Sequence, residues 1–258
     1  MSKEIWATIL LTVMVAEWVF SLGAGIWKRS AWYIGLALAT LSFTLLFVNV
    51  QSLSYNSWGA IWLITPLALT GLATCTHNEQ HRTFNTFLSV LTVLAAQFLT
   101  LPSPETRLIG LGVGVGVMFV NTRYLRKQET AALTIGFGLS FIAALLWNIP
   151  NLALSVWFLV GSFAILSLWL GHTILLRKNT ELTLIYAAAS DKWAIALSTI
   201  ELIGITLHSF LVYTGNSNAE IFYLLATSIT LTAIIYRTYQ QLTKWAFYSI
   251  GWCLELLV

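Results

Sequence analysis

Four polar side chains in one long apolar segment have types and spacing that could do chemistry together: Asp191, Ser198, Glu201 and His208. At about 100° per residue they fall within a stripe roughly 100° wide on one side of a helix. Ionisable groups at bilayer depth are costly and commonly face a bundle interior or a wet cavity. Glu201 and His208 are two turns apart, about 10 Å. We therefore predict that the stripe is a path or binding surface for a small solute or ion.

The same residues also have a structural interpretation. Asp191 and Lys192 can belong to an amphipathic cytoplasmic segment that begins at Glu181, and on a helix their side chains point in different directions. Glu201 can serve as an interhelical hydrogen-bonding group without any part in transport. Both interpretations remain open from the sequence.

A second carboxyl, Glu17, lies near the middle of the first apolar run. It is a candidate contact for a coupling ion or substrate. The alternative is a neutral glutamic acid that donates one hydrogen bond to a neighbouring helix. Glu17 and Glu201 are the two carboxyls predicted to lie deepest in the lipid, so they form a natural pair to test together.

A weaker candidate for metal chemistry is the segment from Cys75 to His81, which holds a thiol, two imidazoles and the carboxylate of Glu79. If the segment is helical, His77 and His81 share a face with a spacing that suits a metal ion. The order of the residues does not match His-Glu-x-x-His, and no second cluster accompanies them. The favoured interpretation is a solvated cap between two helices, with no metal and no cofactor.

The sequence lacks the motifs of several enzyme classes. The sequence contains no phosphate-binding Gly-x4-Gly-Lys-Ser/Thr loop and no Gly-x-Ser-x-Gly nucleophile elbow. Asp191 is its only aspartate, so it offers no aspartate pair for Mg²⁺ and phosphate chemistry. No catalytic residue is assigned, and an enzyme is the least favoured class.

The composition requires a lipid environment for most of the chain. The 258 residues are 58% hydrophobic and 9% charged, with a mean hydropathy of +0.80, whereas soluble domains carry about 25% charged residues. The net charge of +3 comes from scattered short segments. Nucleic-acid binding needs a concentrated basic face, so a nucleic-acid partner is not expected.

The elements that position these residues are apolar runs of helical length. Spans need about 20 mostly apolar residues, and lipid-exposed strand edges are forbidden. We predict an all-α polytopic bundle forming a single transmembrane domain over 1–258. The nine predicted helices are 5–26, 31–50, 57–75, 84–101, 107–123, 131–148, 152–175, 193–213 and 220–237, and 245–258 is a partial or interfacial tenth.

Basic residues predict the orientation of the spans. They follow the first, third, fifth, seventh and ninth runs, and Arg107 is the only basic residue in the other connections. By the positive-inside rule the basic turns are cytoplasmic and the N-terminus lies outside. The alternation also predicts same-direction tandem helical hairpins, although any hairpin array that obeys this rule looks periodic. Four glycines from Gly110 to Gly116 predict close helix packing on two faces.

The stretch from Tyr186 through Ala-Ala-Ala-Ser-Asp-Lys to Trp193, the hairpin after it and the abundance of tryptophan resemble uncharacterised multi-pass membrane proteins of cyanobacteria. The resemblance covers about the last third of the chain and implies no residue roles. It implies a bacterial inner or thylakoid membrane. The short apolar end predicts a fragment of a longer protein, or a half-helix held by a partner.

From these observations we predict a transport-related integral membrane protein. The alternative is a non-catalytic scaffold or assembly subunit of a larger membrane complex. Expected partners are membrane lipid and either another membrane protein or further copies of the chain.

Overall fold

A computed structural model describes residues 62–215, 221–239 and 243–257, together with residues 9–10, 12–14, 16, 34 and 59. The chain divides into two compact units, 1–58 and 59–258. In the first unit the described residues are helical. Glu17, most of the predicted helix 5–26 and nearly all of 31–50 lie outside the described residues. The single domain therefore stays a prediction.

The second unit is helical throughout its described elements. We number these helices α1 Ile64–Cys75, α2 Glu79–Thr100, α3 Pro104–Leu125, α4 Gln128–Trp147, α5 Leu154–Lys178, α6 Glu181–Tyr213, α7 Ile221–Thr238 and α8 Lys244–Leu257.

Six of these helices, α2 to α7, are long and apolar enough to cross a membrane. The described chain is therefore an all-helical membrane bundle, and the protein is an integral, multi-pass membrane protein. α1, with 12 residues, is the shorter counterpart of the predicted run 57–75. The number of spans, predicted as nine, stays open, and so does the tandem-hairpin repeat.

Local capping explains where several helices begin and end. Asn78 precedes α2, and its side chain accepts a hydrogen bond from the backbone N–H of Gln80, so α2 begins before the predicted residue 84. Pro104 opens α3, where its missing N–H costs nothing. α3 and α5 both end on left-handed residues, Arg126 with φ 49° and Asn179 with φ 46°.

The predicted boundary of 193–213 is wrong, because α6 begins at Glu181 and runs unbroken for 33 residues. The Thr180 side chain caps its first turn in a reciprocal arrangement with Thr183. At 1.5 Å per residue the helix is about 50 Å long. Ala187 and Ala189 are fully buried, so this first part packs into the bundle and is not a separate amphipathic segment. The charges of Asp191 and Lys192 do not interrupt the helix.

Side-chain contacts bring the basic helix ends to one side of the second unit. The guanidinium of Arg82, near the start of α2, lies 5.4 Å from the ring centre of Tyr124 near the end of α3. Arg126, just after α3, pairs with Glu181 at the start of α6, with 2.6 Å between Nη1 and Oε2. These contacts hold the start of α2, the end of α3 and the start of α6 on a common side, as antiparallel spans require.

α5, α6, α7 and α8 share one hydrophobic core. Trp169 of α5, Leu202 of α6, Ile234 of α7 and Cys253 of α8 are all nearly or fully inaccessible within it. The sequence predicts a partial or interfacial helix at 245–258, which corresponds to α8. In the structure it packs against its neighbours, and Trp252 donates a hydrogen bond of 2.8 Å from Nε1 to Thr206 Oγ1 of α6.

α2, α3 and α4 form a second core, which depends on a close approach at Gly110. A Cβ added to Gly110 would clash with the Thr100 side chain of α2. On another face of α3, a Cβ added to Gly114 would lie 2.9 Å from the Phe137 ring of α4. The glycines of α3 therefore allow contact with both neighbours, as small residues do in membrane bundles.

Candidate functional site

Glu201 lies where α5, α6 and α7 meet. Its side chain is almost completely buried, with a residue exposure of 5%. Oε1 accepts hydrogen bonds from Ser162 Oγ of α5 and from Thr230 Oγ1 of α7, the latter at 2.9 Å. Oε2 is buried and has no hydrogen-bond partner among the described residues. A Cβ added to Gly161 would lie 2.9 Å from Oε2, so glycine at this position leaves the carboxyl its space.

The hydroxyl of Ser162 links Glu201 to α7 in a second way. Ser162 Oγ lies 2.9 Å from the carbonyl oxygen of Phe158 in its own helix and 2.9 Å from that of Ala226 in α7. Glu201 Oε1 is a third acceptor within reach. A hydroxyl carries one donated hydrogen. The bond that Ser162 makes therefore depends on which of the three oxygens needs a donor.

The second site residue, Asp191, forms a buried ion pair with Arg237 of α7. Arg237 donates from Nε to Oδ1 at 2.7 Å and from Nη2 to Oδ2 at 3.0 Å, a two-bond fork. The side chains are 7% and 20% exposed, for Arg237 and Asp191 respectively. Trp169 Nε1 of α5 donates a third bond to Oδ1 at 3.0 Å.

The ion pair extends to α8 through Arg237. Its Nη1 donates to Thr243 Oγ1 at 3.3 Å, just before α8 begins. Its guanidinium carbon lies 6.0 Å from the ring centre of Trp245, within the range of a cation–π contact. The charged pair and its contacts therefore connect α5, α6, α7 and α8 near the basic side of the bundle.

His208 lies toward the other end of α6 and stacks on Tyr223 of α7, with ring centres 3.5 Å apart and planes inclined by 11°. Its Nε2 is buried and has no hydrogen-bond partner among the described residues. Both rings line a cavity of about 760 Å³ that is open on one side. Glu255 of α8 lines the same cavity and is the only charged side chain among the described residues around it.

Ser198 differs from the other three members of the stripe. Its hydroxyl is fully buried and donates within α6, with the carbonyl oxygens of Ala194 and Ile195 at 2.8 and 3.0 Å. Along α6, Asp191 and Glu201 are about 15 Å apart and Glu201 and His208 about 10 Å apart. The structure thus aligns three separate polar environments along one helix. Their role in moving a solute stays a prediction.

The other sequence candidates are not brought together. Cys75 ends α1, His77 lies in the connection before α2, and His81 lies inside α2, so His77 and His81 do not share one helix. No group of three or more histidine, cysteine, aspartate or glutamate side chains that could hold a metal ion occurs in the described part of the chain. Glu17 lies outside it.

Sequence reasoning missed the partners of the acidic groups. Ser162 and Thr230 are hydroxyl residues in apolar helices, where such residues are common, so nothing in the sequence distinguished them. Arg237 had been grouped with the basic turn after the ninth run. One signal was present: Asp191 is the only aspartate of the chain, and it was predicted to lie on the same side of the membrane as Arg237.

Comparison of the chain with family models, with curated proteins and with solved structures gave no match. The resemblance to multi-pass membrane proteins of cyanobacteria stays a prediction.

Proposed function

We propose that the protein moves a small solute or ion across the membrane, and that Glu201 takes up and releases a proton during this movement. The observation that carries the proposal is the buried Oε2 of Glu201, which has no hydrogen-bond donor in the described chain. An ionised carboxylate left unpaired at such a position is strongly unfavourable. A proton removes the charge, so the arrangement suits a carboxyl whose proton comes and goes with the functional cycle.

Ser162 offers a way to couple that proton to the helices. When Glu201 carries its proton on Oε1, that oxygen donates to Ser162 Oγ, and the Ser162 hydrogen is free to bond the carbonyl of Ala226 in α7. When Glu201 is ionised, Oε1 needs the Ser162 hydrogen, and the bond to Ala226 is lost. Proton loss at α6 therefore weakens the contact between α5 and α7.

The surroundings of Glu201 suit a path with two different ends. On the basic side, the Asp191–Arg237 pair closes the bundle with direct bonds. On the other side, His208 lines an open cavity. A solute entering from the cavity side would approach Glu201 before it meets the ion pair.

We propose further that the basic turns face the cytoplasm, in a bacterial inner or thylakoid membrane. The supporting observations are the positive-inside pattern and the contacts that hold basic helix ends on one side, above all Arg126 with Glu181. The same pattern predicts that the N-terminus lies outside.

The transport proposal is tested by measuring whether an added solute changes the pH inside liposomes that contain the protein. The protein is reconstituted into liposomes that contain a pH-sensitive dye, and a panel of amino acids, sugars, quaternary amines and alkali cations is added outside. We expect at least one class to change the internal pH in the wild type, with that change lost in Glu201→Gln. Glu105→Gln, an exposed glutamate at the start of α3, is the matched control. A response of the Glu201→Gln variant equal to that of the wild type would refute the proposal, and so would a complete panel without any response in the wild type.

A scaffold or assembly subunit is the second candidate, and it is favoured where buried polar side chains bond one another and are therefore not available to a solute. Thr70 of α1, Ser89 of α2 and Asn121 of α3 bond one another, with Thr70 Oγ1 and Ser89 Oγ 2.7 Å apart and Asn121 Nδ2 donating to Ser89 Oγ at 3.0 Å. This buried cluster holds three helices together. Purification in mild detergent separates the candidates, because a scaffold retains a stoichiometric partner and a transporter is stable by itself.

A further inference from the structure

The cavity at the far end of α6 has features of a ligand site. It is about 760 Å³, within the range of small-molecule sites. Described residues of three helices line it: His208 and Tyr213 from α6, Tyr223 and Leu224 from α7, and Glu255 from α8. Most of the remaining lining is aliphatic, so the cavity combines an apolar wall with a few polar groups.

The polar groups around the cavity, which include the hydroxyls of Ser209, Tyr213 and Tyr223, can all accept hydrogen bonds. Glu255 is a carboxylate, and the described lining of the cavity contains no lysine or arginine. His208 Nε2 is buried and lacks a partner in the described chain; in the Nδ1–H tautomer this nitrogen is an acceptor. Ser209 adds a hydroxyl oxygen. An anionic ligand would meet this carboxylate without a cation from the described lining to offset it.

We propose that this cavity binds an organic cation that carries a primary ammonium group on a short apolar body. The ammonium has three donors and no acceptor, which matches Glu255, His208 Nε2 and the Ser209 hydroxyl. The apolar body matches the aliphatic wall formed by residues such as Leu224 and Leu256. That this cation is the solute moved across the membrane rests on the transport function proposed above, whereas the binding itself does not.

The ammonium has two sources, a free small amine or the headgroup of an aminophospholipid. Both bring the same group to the same acceptors. They differ in the body that follows it, since a headgroup is joined through a phosphate to acyl chains that must extend into lipid. Separate probes distinguish the two sources.

Calorimetric titration of the purified protein in detergent, at low ionic strength, tests the site. The probes are butylammonium, neutral 1-butanol of similar size, and a short-chain phosphoethanolamine lipid. We expect butylammonium or the lipid to bind saturably and 1-butanol to bind at least about tenfold more weakly. In Glu255→Gln we expect ammonium affinity to fall at least about tenfold, equivalent to ~1.4 kcal/mol.

Matched variants make the result decisive. Glu105→Gln removes the same charge from an exposed helix position that does not line the cavity, and its affinity should equal that of the wild type. Glu201→Gln should keep the affinity even where it abolishes transport, which separates failure of the site from failure of the proposed function. The proposal is overturned if neither ammonium probe binds the wild type, if 1-butanol binds as tightly as butylammonium, or if Glu255→Gln retains full affinity.

Discussion

Loss of the Asp191–Arg237 ion pair should destabilise the protein far more than loss of a surface pair of nearly the same length. Arg237→Gln removes both forked bonds and leaves Asp191, a 20% exposed side chain, with Trp169 as its remaining donor. Arg126→Gln makes the same change in the Arg126–Glu181 pair, where both side chains are 61% exposed. The two pairs have closest distances of 2.7 and 2.6 Å, so they differ mainly in exposure and in the second, forked bond that Arg237 makes to Asp191.

The expected magnitudes differ several-fold. Removing one partner of a buried pair costs about 3–5 kcal/mol, because the other charge stays buried without compensation. Exposed pairs contribute only about 0.2–1 kcal/mol, since water screens the charges and the side chains lose entropy. Arg237→Gln should therefore lower the free energy of unfolding by several kcal/mol, and Arg126→Gln by less than about 1 kcal/mol.

Unfolding in mixed micelles by titration with a denaturing detergent measures both changes. The 12 tryptophans of the chain provide the fluorescence signal. The double variant Asp191→Asn with Arg237→Gln should lose less stability than the sum of the two single variants, because no unpaired charge remains. Equal losses in Arg237→Gln and Arg126→Gln, or a strictly additive double variant, would refute the assignment of a buried, coupled pair.

Three further predictions concern single residues. Gly161→Ala should displace the Glu201 carboxyl and lower thermal stability, since its Cβ would lie 2.9 Å from Oε2. The control is Gly171→Ala in the same helix, whose Cβ would meet nothing within 4 Å. This control should be neutral or stabilising by up to about 1 kcal/mol. Destabilisation by both alanines to the same extent would contradict the close approach at Gly161. Thr230→Val should lower the free energy of unfolding by about 1–2 kcal/mol, because it removes a donor to Glu201. Thr227→Val should cost less, because its buried hydroxyl bonds its own helix. Chemical denaturation compares the two variants, and the reverse order would count against the Glu201 contact. A membrane-impermeant maleimide should label exposed Cys75 but not buried Cys253. We expect this labelling in inside-out vesicles and none in intact spheroplasts. Labelling in spheroplasts alone would reverse the proposed orientation.

Much of the fold was predictable because helix boundaries follow local signals. The predicted runs 107–123 and 220–237 differ from α3 and α7 by three residues or fewer at either end, since proline, polar loops and basic residues mark those ends. The largest departure was at the start of α6, which begins at Glu181 and not at the predicted residue 193. The charges at Asp191 and Lys192 suggested an interface, but no proline or glycine breaks the chain from Glu181 to that point, and Arg237 neutralises the aspartate.

The site was predictable only in part, for a physical reason. Helical periodicity places Asp191, Glu201 and His208 on one side of α6, because that depends on one helix alone. Partner identity depends on how separate helices pack, and residues distant in sequence supply it. Thr230 and Ser162 reach Glu201 from α7 and α5, and no local pattern distinguishes them from the many other hydroxyl residues of the spans.

The most direct test of the proposed mechanism is infrared spectroscopy of the protein in lipid while the pH is changed. We expect a carboxylic-acid C=O band that appears and disappears reversibly with pH, is absent in Glu201→Gln, and shifts in frequency in Thr230→Val because one donor to the carboxyl is lost. A band unchanged in Glu201→Gln, or one that does not respond to pH, would contradict a proton that exchanges at Glu201.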